Sequence, residues 1–225
     1  MIVVQGLLEV PVAYSVCRNL VVKTVQVDVL IEVRSIAMSV RRSTDTLALS
    51  KDPIISKYRP FARKYRKKLA IGVYPEILVK RILSTGRVPR YNSVLDVVNA
   101  ISALTRVPIS SIDIDRIEFP LRLVYSTRDT TVRDFRGRNV HVTRGTIVLE
   151  EGSGRVVYIF PYVTTDVAVV NMNTKNAIFI GYGAPGVPLN LVASSIKMVT
   201  THIENYTRGS SCSQLKVDAG GSALI

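Results

Sequence analysis

The sequence is short of the residues from which many catalytic and metal sites are built. It contains two cysteines, Cys17 and Cys212, and two histidines, His141 and His202. Two cysteines are too few for a disulfide framework or an all-cysteine zinc site, so we interpret them as one buried thiol and one tail thiol. Neither histidine has an obvious partner, and an isolated histidine is more often structural, which argues against a Ser-His-Asp triad. We expect neither a metal nor a cofactor.

Long apolar runs and acidic residues are also scarce. No run is long enough for a membrane helix, and residues 1–9 lack the pattern of a secretory signal, so we expect a cytoplasmic protein without a membrane partner. The 17 acidic residues are outnumbered by 30 lysines and arginines, which gives a formal net charge of +13. This excess favours nucleic acid as a partner, and the alternative is a solvated basic surface.

The apolar residues that are present suffice for one continuous core. They make up 47% of the 225 residues, which suits one large domain or a compact domain with an extension. Residues 25–33 alternate between apolar and polar side chains, so we predict a half-buried strand there. Residues 39–57 have no clear period and are interpreted as a loop with a short helix.

Three helices are predicted in the middle of the chain. The first begins near residue 57 and has one apolar face and several basic faces. The second begins near Pro75 and stops at Gly86, and the third begins at an Asn92 or Ser93 cap and stops before Pro108. Residues 110–115 are interpreted as a tight, partly buried connection.

The character of the sequence then changes to short apolar runs separated by polar or glycine-bearing turns, which predict a sandwich or a barrel-like sheet. These runs are residues 121–125, 140–142, 146–149, 156–160, 167–170 and 177–180. A final helix is predicted at residues 189–206. Residues 208–225 have few apolar anchors and are interpreted as a flexible tail.

Two kinds of residue group are candidates for function. Basic residues are dense in and after the first predicted helices, where they would contact RNA phosphates. The predicted RNA-binding residues are Arg63, Lys64, Arg66, Lys67, Lys68, Arg87 and Arg90. The second kind pairs hydroxyls with a carboxylate, at residues 110–113 and 164–166. Such groups are common in turns, but they could also hold a ligand or a water molecule.

Residues 87–118, RVPRYNSVLDVVNAISALTRVPISSIDIDRIE, carry a motif of several parts. Its matching residues are Pro89, Asn92, Asp96, Asn99, Pro108, Asp113, Asp115 and Glu118. Residues 65–67, Glu76 and residues 80–81 extend the similarity upstream, and residues 174–176 extend it downstream. In these features the chain resembles the B3/B4 domain of the phenylalanyl-tRNA synthetase β subunit and, more closely, the free-standing B3/4-domain proteins of prokaryotes. The similarity covers about residues 58–183.

The resemblance implies an α+β fold of the B3/4-domain type, with a β-sandwich-like core of short strands flanked by helices. We accordingly divide the chain into N-terminal strands and a connection at residues 1–57, packed on the same core, a B3/4-like domain at residues 58–207, and the tail at residues 208–225. The resemblance also implies a role at charged tRNA. In the synthetase this domain hydrolyses mischarged tyrosyl-tRNA, and free-standing editing domains deacylate tRNA in trans.

The chain departs from the family pattern at four positions. Ser110 stands where the synthetase has a histidine, and Ile180 stands where it has a glutamate. Phe119 replaces a glycine, and Val163 or Val167 replaces an arginine of the free-standing members. Ester deacylation can use the terminal ribose hydroxyl and a positioned water, so it needs a shaped pocket more than a strong base.

We therefore predict a tRNA-binding protein of translation quality control that deacylates mischarged tRNA in trans, with tRNA or aminoacyl-tRNA as its partner. Ser110, Thr165 and Asp166 are the predicted catalytic residues. Asn99 and Ser111 are the predicted lining of the substrate pocket. The alternatives are a non-catalytic module that binds RNA or a tRNA synthetase, and a binder of an amino-acid-like small molecule.

Overall fold

The computed structural model describes residues 2–4, 9–66 and 72–219. Six α-helices lie in these residues: α1 (Val27–Ser43), α2 (Thr46–Ser50), α3 (Pro53–Arg66), α4 (Tyr74–Thr85), α5 (Ser93–Thr105) and α6 (Leu189–Tyr206). The predicted stop of α4 is confirmed, because Gly86 caps the helix with a left-handed φ of 72°. The predicted start of α5 is confirmed as well, since the Asn92 side chain accepts hydrogen bonds from the N–H groups of Val94 and Leu95. Helix α6 has the predicted bounds.

The strands form two larger sheets and one hairpin. In chain order they are β1 (Ile2–Val4), β2 (Val12–Arg18), β3 (Ile109–Asp113), β4 (Leu121–Tyr125), β5 (Thr130–Arg133), β6 (Asn139–Val142), β7 (Ile147–Glu150), β8 (Val156–Ile159), β9 (Val163–Thr164), β10 (Ala177–Tyr182), β11 (Ser211–Cys212) and β12 (Lys216–Asp218). One sheet has the order β1-β4-β7-β8-β9, and the other has the order β11-β2-β10-β3 with β12 also beside β2. Strands β5 and β6 pair only with each other.

The predicted α+β class is confirmed, with two sheets of short strands flanked by helices. Tyr158 of β8 stacks on Tyr182 of β10 with ring centroids 4.6 Å apart, so the two sheets meet in the core. Helix α5 packs against α1, α4, α6 and β3. Strand β2 lies between β10 and the C-terminal strands, and its buried residues belong to the same apolar cluster as those of β10 and α6. None of the described helices is both long and apolar enough to span a membrane.

Residues 25–33 are not a strand, which corrects the prediction from alternation. Most of them belong to α1, and its buried positions are Val29, Val33, Ile36, Ala37 and Val40. These positions keep helical spacing beyond the alternating segment, whereas Val27 and Ile31 are 67% and 65% exposed. Residues 39–57, predicted as a loop with a short helix, complete α1, form α2 and begin α3.

Two polar stretches also differ from the prediction. Residues 109–113 form the fully buried strand β3 rather than a connection, because pairing with β10 satisfies the polar backbone of the serines at its centre. Residues 167–170 do not form a strand: residues 166–168 make one 3-10 turn, and only Val169 makes an isolated bridge, to Ile112.

The C-terminal residues as far as 219 are attached to the core, which corrects the expectation of a flexible tail there. Strands β11 and β12 both pair with β2. Cys212 lies opposite Cys17 in this pairing and forms a disulfide with it, so the interpretation as two separate thiols is wrong. The rest of the predicted tail, residues 220–225, lies outside the described residues.

Candidate functional site

A pocket lies beside the edge strand β3, between α5, strands β8 and β9, and the turn that joins β5 to β6. Its cavity volume is about 40 Å³, and its empty space is about 450 Å³ when the open solvent at the mouth is counted. Its walls are mainly aromatic, and we name it the aromatic pocket. The residues that line it are Tyr74, Tyr91, Leu95, Val98, Asn99, Ile109, Ser111, Phe135, Tyr158, Tyr162, Val163, Thr164 and Val169.

The two predicted pocket residues, Asn99 and Ser111, both line the aromatic pocket. Ser111 is 4% exposed, and its Oγ is the one fully buried side-chain nitrogen or oxygen in the described part of the chain without a hydrogen-bond partner. Asn99 is 7% exposed, and its amide makes no hydrogen bond within the described residues. Buried polar groups in folded proteins are normally paired. The pocket therefore presents a hydroxyl and an amide that are free to bind a ligand.

The aromatic rings of the pocket provide a largely apolar wall. Burial raises the pKa of the Tyr74 and Tyr158 hydroxyls above the ordinary value, so both stay protonated at neutral pH. Tyr91 and Phe135 meet edge to face, with ring centroids 5.3 Å apart. Such a pocket suits a small organic group with an apolar body and one or two polar atoms.

The turn between β5 and β6 is fixed by Asp134, which is fully buried. Its carboxylate accepts hydrogen bonds from the N–H groups of Arg136 and Arg138 and from Nε of Arg138. Burial alone would raise the pKa of Asp134, but these hydrogen bonds lower it below the ordinary value. The backbone N–H of Phe135 also donates to the carbonyl of Thr164 on β9. Asp134 thus places the Phe135 ring in the pocket wall.

The three predicted catalytic residues are not gathered around the aromatic pocket. Ser110 points to the opposite side of β3 from Ser111, and its Oγ lies 2.8 Å from the Tyr182 hydroxyl in a buried hydrogen bond. The Thr165 hydroxyl is buried and donates to the carbonyl of Val156. Asp166 is exposed and is not part of the pocket lining. Their catalytic role stays a prediction.

The predicted RNA-binding residues are only partly described. Arg63, Arg87 and Arg90 are exposed. Lys67 and Lys68 lie outside the described residues, and so do the side chains of Lys64 and Arg66. Arg87 and Arg90 line a groove beside α1 together with Arg34, and we name it the α1 groove.

Arg90 also lines a recess next to the aromatic pocket. Arg81 of α4 and Arg136 of the β5–β6 turn line the same recess, which we name the arginine recess. Tyr74 and Tyr91 belong to both the recess and the aromatic pocket. Among the described residues that line the α1 groove and the arginine recess, none is acidic.

The motif residues that carry the family resemblance act mostly in the framework. Thr174 donates a 2.7 Å hydrogen bond to the Asp113 carboxylate, and Asn176 donates to the Asp115 carboxylate. These bonds join the end of β3 to the start of β10. Asp96 accepts a hydrogen bond from the backbone N–H of Tyr91, at the start of α5. The motif thus fixes the elements on which the pocket is built.

Sequence reasoning did not find the aromatic walls or the arginine recess. The pocket tyrosines come from α4, from the α4–α5 connection, and from β8 with the turn after it, and their spacing along the chain carries no signal of proximity. Arg136 lies in a turn that was noted only as a connection between strands. One local signal was present: in Asp134-Phe135-Arg136 an aromatic ring and a cation follow a turn-forming carboxylate.

Within the described residues, no group of three or more His, Cys, Asp or Glu side chains could hold a metal ion.

Comparisons with known proteins place the chain in a family. No curated protein sequence matches it. Among solved structures, an N-terminal fragment of the phenylalanyl-tRNA synthetase β subunit from Pyrococcus horikoshii matches with a TM-score of 0.49 and 13% sequence identity. That match covers 94% of this chain and 49% of the fragment, so the chain spans about half the fragment's length. The family model of the B3/4 domain matches residues 57–219. Because this match takes in more than half of the chain, the protein belongs to the B3/4 domain family.

Proposed function

We propose that this protein binds the aminoacylated 3′ end of tRNA, holds the amino acid in the aromatic pocket and hydrolyses the ester of mischarged tRNA. The observation that supports the proposal best is the Ser111 hydroxyl, which is buried in the pocket wall without a partner. Leaving such a group unpaired costs about 1–3 kcal/mol. A polar group of the bound amino acid would supply the missing hydrogen bond, with Asn99 as a second contact.

The proposed reaction relies on position rather than on a strong base. The described lining of the pocket contains no carboxylate and no imidazole, and burial raises the pKa of Tyr74 and Tyr158. A water molecule would attack the ester carbonyl, and the bond from the carbonyl carbon to the ribose oxygen would break. The neighbouring ribose hydroxyl would assist the proton transfer from the water to the leaving oxygen. The protein's part is to hold the ester and the water in line.

The net charge of +13 supports tRNA as the partner. Exposed Arg63, Arg87 and Arg90 would contact phosphates, as would Lys64, Arg66, Lys67 and Lys68. Work on charged tRNA would place the protein in the cytoplasm. Ser110, Thr165 and Asp166 remain proposed catalytic residues, although the hydroxyls of the first two are already engaged in hydrogen bonds.

Incubation with a panel of misacylated tRNAs tests the proposal. We expect deacylation above the buffer rate for at least one amino acid, and a loss of about tenfold or more in Ser111→Ala, because one hydrogen bond to the substrate is removed. Ser195→Ala is the matched control, since it removes a buried hydroxyl in α6 that bonds only within its helix. No deacylation of any tRNA by the wild-type protein would refute the enzymatic proposal.

A second candidate is binding without chemistry, and it is favoured by the hydroxyls of Ser110 and Thr165, which are already engaged in hydrogen bonds. The protein would then bind an amino-acid-like small molecule, RNA or a tRNA synthetase. A free amino acid that raises the melting temperature without any RNA, in a protein that deacylates nothing, would favour this candidate. The shift should disappear in Ser111→Ala and persist in Ser195→Ala.

A further inference from the structure

We propose that the arginine recess is a phosphate site, which takes the last phosphodiester of an RNA strand whose 3′ end enters the aromatic pocket. The identity of the RNA end rests on the function proposed above. The recess itself is defined by Arg81, Arg90 and Arg136, which come from α4, the α4–α5 connection and the β5–β6 turn. Two distant parts of the chain, α4 with the connection after it and the β5–β6 turn, thus bring guanidinium groups to one place.

The guanidinium groups of the recess are only partly neutralised. The buried Asp96 carboxylate lies 3.9 Å from Nε of Arg90 and offsets part of one charge. Arg81 makes no side-chain hydrogen bond or ion pair within the described residues. Arg136 contacts neutral partners: it donates to the Tyr91 hydroxyl, and it lies over the ring of Phe135, 5.0 Å from the ring centroid. At least two cations of the recess are therefore available to an anion.

The position of the recess determines which anion it fits. It shares Tyr74 and Tyr91 with the aromatic pocket, and it shares Arg90 with the α1 groove. The groove, the recess and the pocket are therefore neighbours in this order, with arginines lining the first two and aromatic rings lining the last. An RNA strand with regularly spaced phosphates and an uncharged end matches this order, because its phosphates would face the arginines and its end would face the aromatic rings.

Arginine is well suited to this task because its planar guanidinium can donate two parallel hydrogen bonds to a phosphate. A phosphate held by Arg81 and Arg136 would fix the distance from the RNA backbone to the pocket mouth. The ester would then be positioned by the backbone as well as by the amino acid. Arg81 and Arg136 would thus position the RNA backbone, which is a role distinct from non-specific attraction of tRNA.

The test measures the affinity of the whole protein for a short, uncharged single-stranded RNA with the 3′-terminal sequence of tRNA. The variants are Arg81→Gln and Arg136→Gln. The matched control is Arg133→Gln, which removes one exposed arginine from β5 of the same hairpin but outside the recess. We expect each recess variant to weaken binding about 5- to 10-fold, and the control to change it less than twofold. The slope of log affinity against log salt should become shallower by about 0.7 for each lost phosphate contact.

A second RNA identifies the phosphate. In this RNA the last phosphodiester is replaced by an uncharged methylphosphonate. The wild-type protein should bind it about as weakly as Arg81→Gln binds the natural RNA. The affinity of Arg81→Gln should be the same for both RNAs. Equal effects of Arg81→Gln and Arg133→Gln would overturn the proposal. So would inorganic phosphate that competes with the methylphosphonate RNA as well as with the natural RNA, since phosphate would then displace the strand from sites other than the recess.

The binding test and the deacylation test fail separately. If the wild-type protein hydrolyses no tRNA but its RNA affinity depends on Arg81, the phosphate site stands and the hydrolysis is rejected. If the protein deacylates tRNA and Arg81→Gln changes neither the RNA affinity nor the deacylation rate at limiting tRNA, the phosphate site is rejected.

Discussion

Two neighbouring serines of β3 have opposite surroundings. The Ser110 hydroxyl is hydrogen-bonded to the Tyr182 hydroxyl. The backbone carbonyl of Tyr182 in turn accepts a hydrogen bond from the Tyr58 hydroxyl. The Ser111 hydroxyl has no partner and lines the aromatic pocket. Because strand side chains alternate between faces, the Ser110 hydroxyl faces Tyr182 and the Ser111 hydroxyl faces the aromatic pocket. In this arrangement the Ser110 hydroxyl contributes to stability by pairing with Tyr182.

The alanine variants of these serines should differ in stability. Ser110→Ala leaves the Tyr182 hydroxyl buried and unpaired, so we expect a loss of about 1–3 kcal/mol in the free energy of unfolding. Ser111→Ala removes a hydroxyl that was already unpaired, so we expect no loss and a gain of up to about 1 kcal/mol. Urea unfolding of both variants beside the wild type measures the difference. A larger loss for Ser111→Ala than for Ser110→Ala would contradict the assignment.

Glu151 should make the stability depend on pH in the acidic range. Burial would raise its pKa, but hydrogen bonds from Arg155, Ser153 and the N–H of Glu118 lower it from 4.5 to about 2. A carboxylate with a lowered folded-state pKa stabilises fully above its unfolded pKa and loses that contribution as the pH falls through the folded one. We therefore expect a loss of at most about 3 kcal/mol between pH 4.5 and 2.

Urea unfolding at several pH values checks this prediction, with Glu151→Gln as the reference. The variant lacks the carboxylate at every pH, so the gap between the two proteins should be widest above pH 4.5 and should narrow toward pH 2. A gap that stays constant over this range would show that the carboxylate is not held as described.

At the scale of elements, the β5–β6 hairpin is the part that completes the site. It pairs with neither of the larger sheets as a strand, and the bridge between Asp134 and Thr165 joins it to the residue after β9. Its turn nevertheless supplies Phe135 to the aromatic pocket and Arg136 to the arginine recess. A small element thus serves both halves of the proposed substrate.

Asp134→Ala should damage this turn. The change leaves the N–H groups of Arg136 and Arg138 without their acceptor, and we expect the free energy of unfolding to fall by about 3 kcal/mol. RNA affinity and the rate of any deacylation should fall by more than the loss of folded protein explains, because Phe135 and Arg136 lose their positions. The control is Asp129→Ala, which removes an exposed carboxylate that bonds the N–H of Arg144 at the other end of the hairpin. Equal effects of the two variants on RNA affinity would argue against a positioning role.

Elements whose signals are local could be predicted from the sequence. The caps at Asn92 and Gly86 act within one helical turn, and both were found. Helix α1 was missed because four alternating β-branched residues at its start fit a strand in isolation. Only the core contacts of Ile36, Ala37 and Val40 favour a helix. Strand β3 was missed for the converse reason, since two serines are unusual in a buried strand until β10 pairs with them.

At the scale of the whole molecule, the candidate site was only half predictable. Ser111 and Asn99 lie in the motif that identifies the family, so the sequence pointed to them. The rings of Tyr74, Tyr158 and Tyr162 reach the pocket only because two sheets and α4 meet there. The pairing of Cys17 with Cys212 was missed for the same reason, because the two residues are 195 positions apart.

The disulfide should contribute to global stability. Closing a loop of this length restricts the unfolded chain, which corresponds to at most about 5 kcal/mol on the chain-entropy estimate. We expect a reductant to lower the melting temperature of the wild-type protein, and Cys212→Ser to melt near the reduced wild type and to be insensitive to reductant. Identical melting of the wild-type protein with and without reductant would indicate that the bond contributes nothing.

The bond between Cys17 and Cys212 also gives the molecule an almost circular covalent path. A protease that cuts the backbone once between these residues opens the circle but releases no fragment. The nicked protein would migrate as one species on a denaturing gel without reductant and as two pieces with it. Limited proteolysis therefore reports separately on where the chain is accessible and on whether its ends are linked.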